Sequence, residues 1–130
     1  MPSDAAPVGA FSGRHVLAEL DGIDPSLLDD AEFLRTTLAS TLTDAGATVC
    51  DVITHRFEPQ GVTVLAMLAE SHASLHTYPE LGAMFVDVFT CGHRADPEHA
   101  VRLLAKALGA EAETMSTITR GRRPSEAGER

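Results

Sequence analysis

Between residues 47 and 90 the chain offers four β-rich runs in succession, with no helical period to interrupt them. Residues 47–57 and 62–69 are separated only by a turn around Pro59-Gln60-Gly61, and residues 72–77 and 84–90 only by Tyr78-Pro79-Glu80-Leu81-Gly82. Links this short join antiparallel neighbours, because a parallel crossover needs a dozen residues or more. One antiparallel sheet must therefore form the centre of the fold. A further strand is expected at 15–20, where Val16, Ala18 and Leu20 share one face, and a last one at 114–119.

Only two segments read as helix. Asp29-Asp30-Ala31-Glu32 supplies a capping side chain and an early carboxylate, after which Leu34, Leu38, Leu42 and Ala45 recur at helical spacing until Gly46. Asp96-Pro97-Glu98 opens the second, and Val101, Leu104 and Leu108 carry its apolar stripe to Gly109. The order βαββββαβ predicts an α+β two-layer sandwich, one antiparallel sheet with two helices on one face. The other face then lacks a cover. A second copy of the chain is its simplest cover, so a homodimer through the sheet side is expected.

The 130 residues suffice for one domain, expected at 14–119 between flexible tails at 1–13 and 120–130 that are rich in Pro, Gly, Ser and charge. A net charge of −9 argues against a nucleic-acid partner. The longest apolar stretch, 62–69, is far short of the roughly 18 residues of a membrane span, so no membrane partner is expected. The N-terminus has neither the basic start nor the apolar run of a signal peptide, which predicts a cytoplasmic protein. Cys50 and Cys91 do not make a disulfide framework.

Reactive side chains crowd between Glu70 and Cys91: Ser71, His72, Ser74, His76, Glu80 and Asp87 lie among them. Three chemistries would use this set. A metal held by His72, His76, Cys91 and His93 would need the i, i+4 histidines on a helix, which Pro79 and the alternating pattern oppose, so no metal is expected. A hydrolase with Cys91 as nucleophile and His76 as base would need an oxyanion hole that nothing local builds. The third is self-processing at Glu70-Ser71, in which the serine hydroxyl attacks the preceding carbonyl and a base, His76, removes the serine α-proton. The product is a pyruvoyl group, a ketone that condenses with a substrate amine and serves as electron sink for decarboxylation. Cys91 would then return a proton to the carbanion.

Glu70-Ser71-His72, His76-Thr77-Tyr78-Pro79-Glu80 and Asp87-Val88-Phe89-Thr90-Cys91-Gly92, with the upstream stretch from His55 to Val62, resemble the prokaryotic S-adenosylmethionine decarboxylases. These are pyruvoyl enzymes that make the aminopropyl donor for polyamine synthesis. The resemblance spans nearly all of 14–119. It implies cleavage between Glu70 and Ser71, a pyruvoyl cofactor generated from Ser71, His76 as the base in processing and Cys91 as the proton donor in decarboxylation. It further implies Glu80 at the ribose hydroxyls, Phe57 and Tyr78 stacked on adenine, Thr63 assisting cleavage, S-adenosylmethionine as substrate, and active sites built at a dimer interface. The chain departs from the family at Tyr78, usually Trp, at Thr63, usually Ser, and at Leu81 and Ala83, where aromatics are common.

Two alternatives stand beside this reading. One is the same chemistry on arginine or ornithine, and the other is a homologue that binds a ligand without cleaving. A pyridoxal-phosphate decarboxylase would need a lysine for its cofactor, and the only one, Lys106, shares a helix face with Glu98 and Arg102, away from the apolar stripe.

Overall fold

The computed structural model describes residues 11–69 and 71–122. Six strands form one antiparallel sheet: β1 (Phe11–Asp21), β2 (Val49–Arg56), β3 (Val62–Leu68), β4 (Ser71–Tyr78), β5 (Ala83–Cys91) and β6 (Ala112–Arg122), in the order β2-β3-β4-β5-β1-β6. The hairpins expected from the short links are present, and β1 inserts between β5 and β6. β1 and β6 run past the expected domain limits and pair out to Phe11 and Arg122. The remainder of both expected tails, and Glu70, lie outside the described residues.

Two long helices, α2 (Ala31–Asp44) and α3 (Pro97–Leu108), cover one face. Asp30 caps α2 by accepting from the Phe33 N–H, and Asp96 caps α3 through the His99 N–H, each satisfying a donor the helix leaves unpaired. Leu34, Leu38 and Leu42 of α2 meet Val101, Leu104 and Leu108 of α3 over the inward row Val16, Leu20, Val64, Ala66, Leu75, Val86 and Val88. Lys106 is exposed on α3, as its helix face predicts.

A one-turn helix that the periodicity did not announce, α1 (Pro25–Leu28), precedes α2. Four residues are too few to show a repeat. It is capped by Asp24 and pinned by the buried Thr77, whose hydroxyl donates to the Leu28 carbonyl at 2.6 Å and accepts from the Val62 N–H at 2.9 Å. Thr77 thereby ties α1 to the end of β4, beside the short 3-10 turn at Pro79–Leu81.

Among the described residues, no helix lies on the opposite face of the sheet. Pleating puts Leu17, Ile53, Leu65, Met67, Phe85 and Ile118 on it, each at least 42% exposed. The same alternation places His15, Thr63, His72, Ser74, His76, Asp87 and Cys91 on this open face, so the polar and apolar side chains that the core excludes share one surface.

Candidate active site

The open face is reactive at both ends of β4. At one end Thr63 of β3 stands opposite His76, and the threonine hydroxyl lies 2.9 Å from the imidazole Nδ1. Tyr78, two residues on, packs its ring 4.9 Å from that of Phe85. Phe57 lies beyond β2, 47% exposed, with its ring 4.5 Å from that of His55. Glu80 is exposed on the 3-10 turn. Phe57, Thr63, His76, Tyr78 and Glu80 share one end of the sheet because β2 and β4 finish there, β3 starts there, and the turns after β2 and β4 extend from it.

The turn that carries Phe57 is built rigidly. Its N–H donates to the Gly61 carbonyl at 2.8 Å, and Gly61 adopts φ 106°, a conformation that favours glycine. The Asp29 carboxylate accepts from the Gly61 N–H at 2.9 Å and from the Arg56 guanidinium at 2.7 Å. Those two bonds hold the Asp29 pKa below the usual carboxylate range.

Ser71 opens β4 at the other end, half-buried, its hydroxyl donating to the Ala69 carbonyl at 3.3 Å. Cys91 ends β5 at the same end of the sheet, since His72 pairs with Phe89 and Cys91 lies two residues further. On its far side Cys91 pairs with Gly13 of β1. A side chain at Gly13 would collide with the Phe89 ring, so the glycine lets that ring lie across β1.

Ser71 and His76, close in sequence, are not brought together within one chain. An extended strand rises roughly 3.3 Å per residue, which puts them about 16 Å apart, and their positions alternate across the sheet. The same geometry separates His72 from His76 by about 13 Å, so the four residues weighed as metal ligands do not converge. His93 is exposed in the loop after β5.

Asp87 occupies the middle of the face and accepts three donors. Ser74 Oγ bonds one carboxylate oxygen, while His15 Nε2 at 2.7 Å and His72 Nε2 at 3.1 Å meet the other. Burial opposes the charge, yet the bonds from Ser74 and His15 and the neighbouring His72 hold its pKa below the ordinary value. Beside it a concavity of about 470 Å³ opens over Leu17, Glu19, Ser74, His76, Phe85 and Ser116.

Sequence reasoning missed His15 and Arg120. His15 was legible as an outward position beside Val16, but nothing local shows that β1 lies next to β5. Arg120 donates to His15 Nδ1 at 3.0 Å and sits 4.8 Å above the Phe89 ring.

Residues 14–121 match the family model described as S-adenosylmethionine decarboxylase. The S-adenosylmethionine decarboxylase proenzyme of Prochlorococcus marinus (strain MIT 9313) is 52% identical over 108 residues, covering 83% of this chain and 86% of its own. That of Caldanaerobacter subterraneus subsp. tengcongensis is 43% identical over 109 residues, covering 84% and 88%. The crystal structure of the adenosylmethionine decarboxylase from Aquifex aeolicus VF5 superposes with a TM-score of 0.74 at 30% identity, covering 88% of this chain and 93% of that one.

Proposed function

Because the chain belongs to the S-adenosylmethionine decarboxylase family, we propose that it removes carbon dioxide from S-adenosylmethionine with a pyruvoyl group made from its own Ser71, in active sites completed between two copies of the chain. The observation that carries this reading is the splitting of the reactive residues between opposite ends of β4: Ser71, at the strand's start, with Cys91 at one, and Thr63 and His76 on the open face at the other. A face-to-face pair whose two-fold axis runs across the strands lays one copy's Ser71 end over the other's His76 end, twice. Pairing also buries the six large apolar side chains that the open face exposes.

Processing then runs as follows. The Ser71 hydroxyl attacks the carbonyl carbon of Glu70, the C–N bond breaks, and the peptide becomes an ester with a free Ser71 amine. The partner subunit's His76, its Nδ1 held by a threonine hydroxyl, takes the Ser71 α-proton. The electron pair expels the Glu70 carboxylate, and the unsaturated residue left behind takes up water and loses ammonia to become the ketone. The residues present suit such a group, with a serine opening a strand, a cysteine at the same end and a hydroxyl–imidazole pair for the base.

The pyruvoyl ketone, once formed, supplies an electrophile for the substrate amine and a sink for the electrons that carbon dioxide leaves behind. Cys91 carries a thiol, a group that gives up its proton far more readily than an alcohol, and is suited to protonate the substrate carbon afterwards. Phe57 and Tyr78 offer ring faces to a purine and to the positively charged sulfonium, and Glu80 offers a carboxylate to ribose hydroxyls.

Intact mass and carbon dioxide release test the reading together. The chain should separate into 1–70 and 71–130 with a blocked N-terminus on the smaller piece, and should release carbon dioxide from S-adenosylmethionine in preference to arginine, ornithine or lysine. A single uncleaved chain, or preferential release from another amino acid, would contradict it.

A further inference from the structure

We infer that His15, His72 and Asp87 form a binding site for a divalent transition metal, of the zinc and cobalt class, on the open face of the sheet. The three residues come from adjacent strands β1, β4 and β5, and both histidines pair with the same residue, Phe89, from opposite sides. Asp87 lies two residues along β5 on the same face. The ligand atoms already converge: Asp87 Oδ2 is 2.7 Å from His15 Nε2 and 3.1 Å from His72 Nε2, and all three fall within 4.8 Å of one another. Ligand atoms around a tetrahedral zinc with bonds of about 2.0–2.1 Å stand about 3.3 Å apart, so small side-chain rotations admit the ion.

The donor set selects the metal. Two imidazoles and a carboxylate suit zinc, cobalt or nickel, whereas magnesium and calcium require oxygen ligands. The surroundings pre-orient the ligands. Ser74 donates to one Asp87 oxygen and leaves the other for a metal, and the Phe89 ring packs 5.4 Å from the His15 ring and 5.7 Å from that of His72.

Arg120 is the one group arranged against the ion. A guanidinium only donates, so its contact with His15 Nδ1 forces the imidazole proton onto Nε2, where it points at Asp87. Loading must move that proton to Nδ1 and displace Arg120, which gives up its hydrogen bond to His15 and its place over Phe89. Metal-bound histidines ordinarily donate their second N–H to an acceptor, and Arg120 is the opposite of one. The arginine therefore sets the threshold at which the site fills.

Titration of the assembled wild-type protein with cobalt(II), followed by its visible absorption, tests the site. One equivalent per chain should bind, zinc should displace it and magnesium should not. His15→Ala, His72→Ala and Asp87→Ala should each weaken binding about 100-fold, while Arg120→Gln, which offers a carbonyl to Nδ1–H, should tighten it by about tenfold. That gain cannot come from misfolding, and thermal melts check the three losses. Wild type without the cobalt spectrum, or with an affinity that none of the four substitutions moves, would overturn the inference. The uncleaved Ser71→Ala chain should bind equally well, so the site stands or falls apart from the decarboxylase reading.

Discussion

Thr63 and His76 face each other across β3 and β4, with the hydroxyl of one 2.9 Å from Nδ1 of the other. The contact holds the ring through Nδ1, so the base proposed for processing acts through Nε2. It joins two residues thirteen positions apart in the chain whose roles the family resemblance had implied separately.

His76→Ala should form the ester but fail to eliminate, with cleavage slowed about 10²–10⁴-fold, the usual worth of a positioned base. Hydroxylamine should split that mutant chain. Thr63→Val should slow cleavage less, and Thr63→Ser should restore it because the hydroxyl returns. A His76→Ala chain that hydroxylamine leaves intact would move the histidine to the first step.

Co-expressing Ser71→Ala with His76→Ala distinguishes sites within one chain from sites shared by two. In a mixed dimer the His76→Ala chain keeps its serine and borrows the other chain's intact histidine, so it should be cleaved while its partner is not. Mass spectrometry reads the two chains separately. Absence of any cleavage in the mixture would place the whole apparatus within one copy.

Cys91→Ser should process normally and decarboxylate poorly, since an alcohol yields its proton far less readily than a thiol. Slow delivery to the substrate carbon allows the proton to reach the former pyruvoyl carbon instead. Hydrolysis then leaves an alanine-like N-terminus on the smaller fragment. Its mass should shift progressively with turnover, and an unchanged rate without that shift would remove the cysteine from the mechanism.

Asp29 touches no reactive residue, yet it holds the turn that carries Phe57. Asp29→Ala should raise KM for S-adenosylmethionine several-fold and leave kcat within about twofold, the signature of lost binding that is equal in ground and transition states. A fall in kcat at constant KM would contradict the positioning role.

The same carboxylate predicts a pH effect. Its folded pKa is depressed by the Gly61 N–H and by Arg56, so its stabilising contribution is present above the unfolded value near 3.9 and is lost as pH falls through the lower folded value. Melting temperatures of wild type and Asp29→Ala should differ at pH 7 and converge below about pH 4. Parallel curves down to that acidity would mean that the contact is not electrostatic.

The sequence alone determined the six strands, the two long helices and the family. Alternation specifies which side of each strand is apolar, Asp30 and Asp96 mark where helices start, and the motifs around Ser71, His76 and Cys91 name a reaction, because all of these signals are local. What alternation cannot express is which strands become neighbours. The insertion of β1 between β5 and β6 brings His15 and Arg120 to Asp87, although 72 residues separate His15 from that carboxylate and 105 separate it from the arginine. Extension of β4 has the converse effect, holding Ser71 and His76 apart although only four residues lie between them. Contact across a sheet depends on strand order and register, which the whole core settles at once by burying the inward rows beneath α2 and α3. Only the tertiary structure could therefore divide the reactive residues between the two ends of β4.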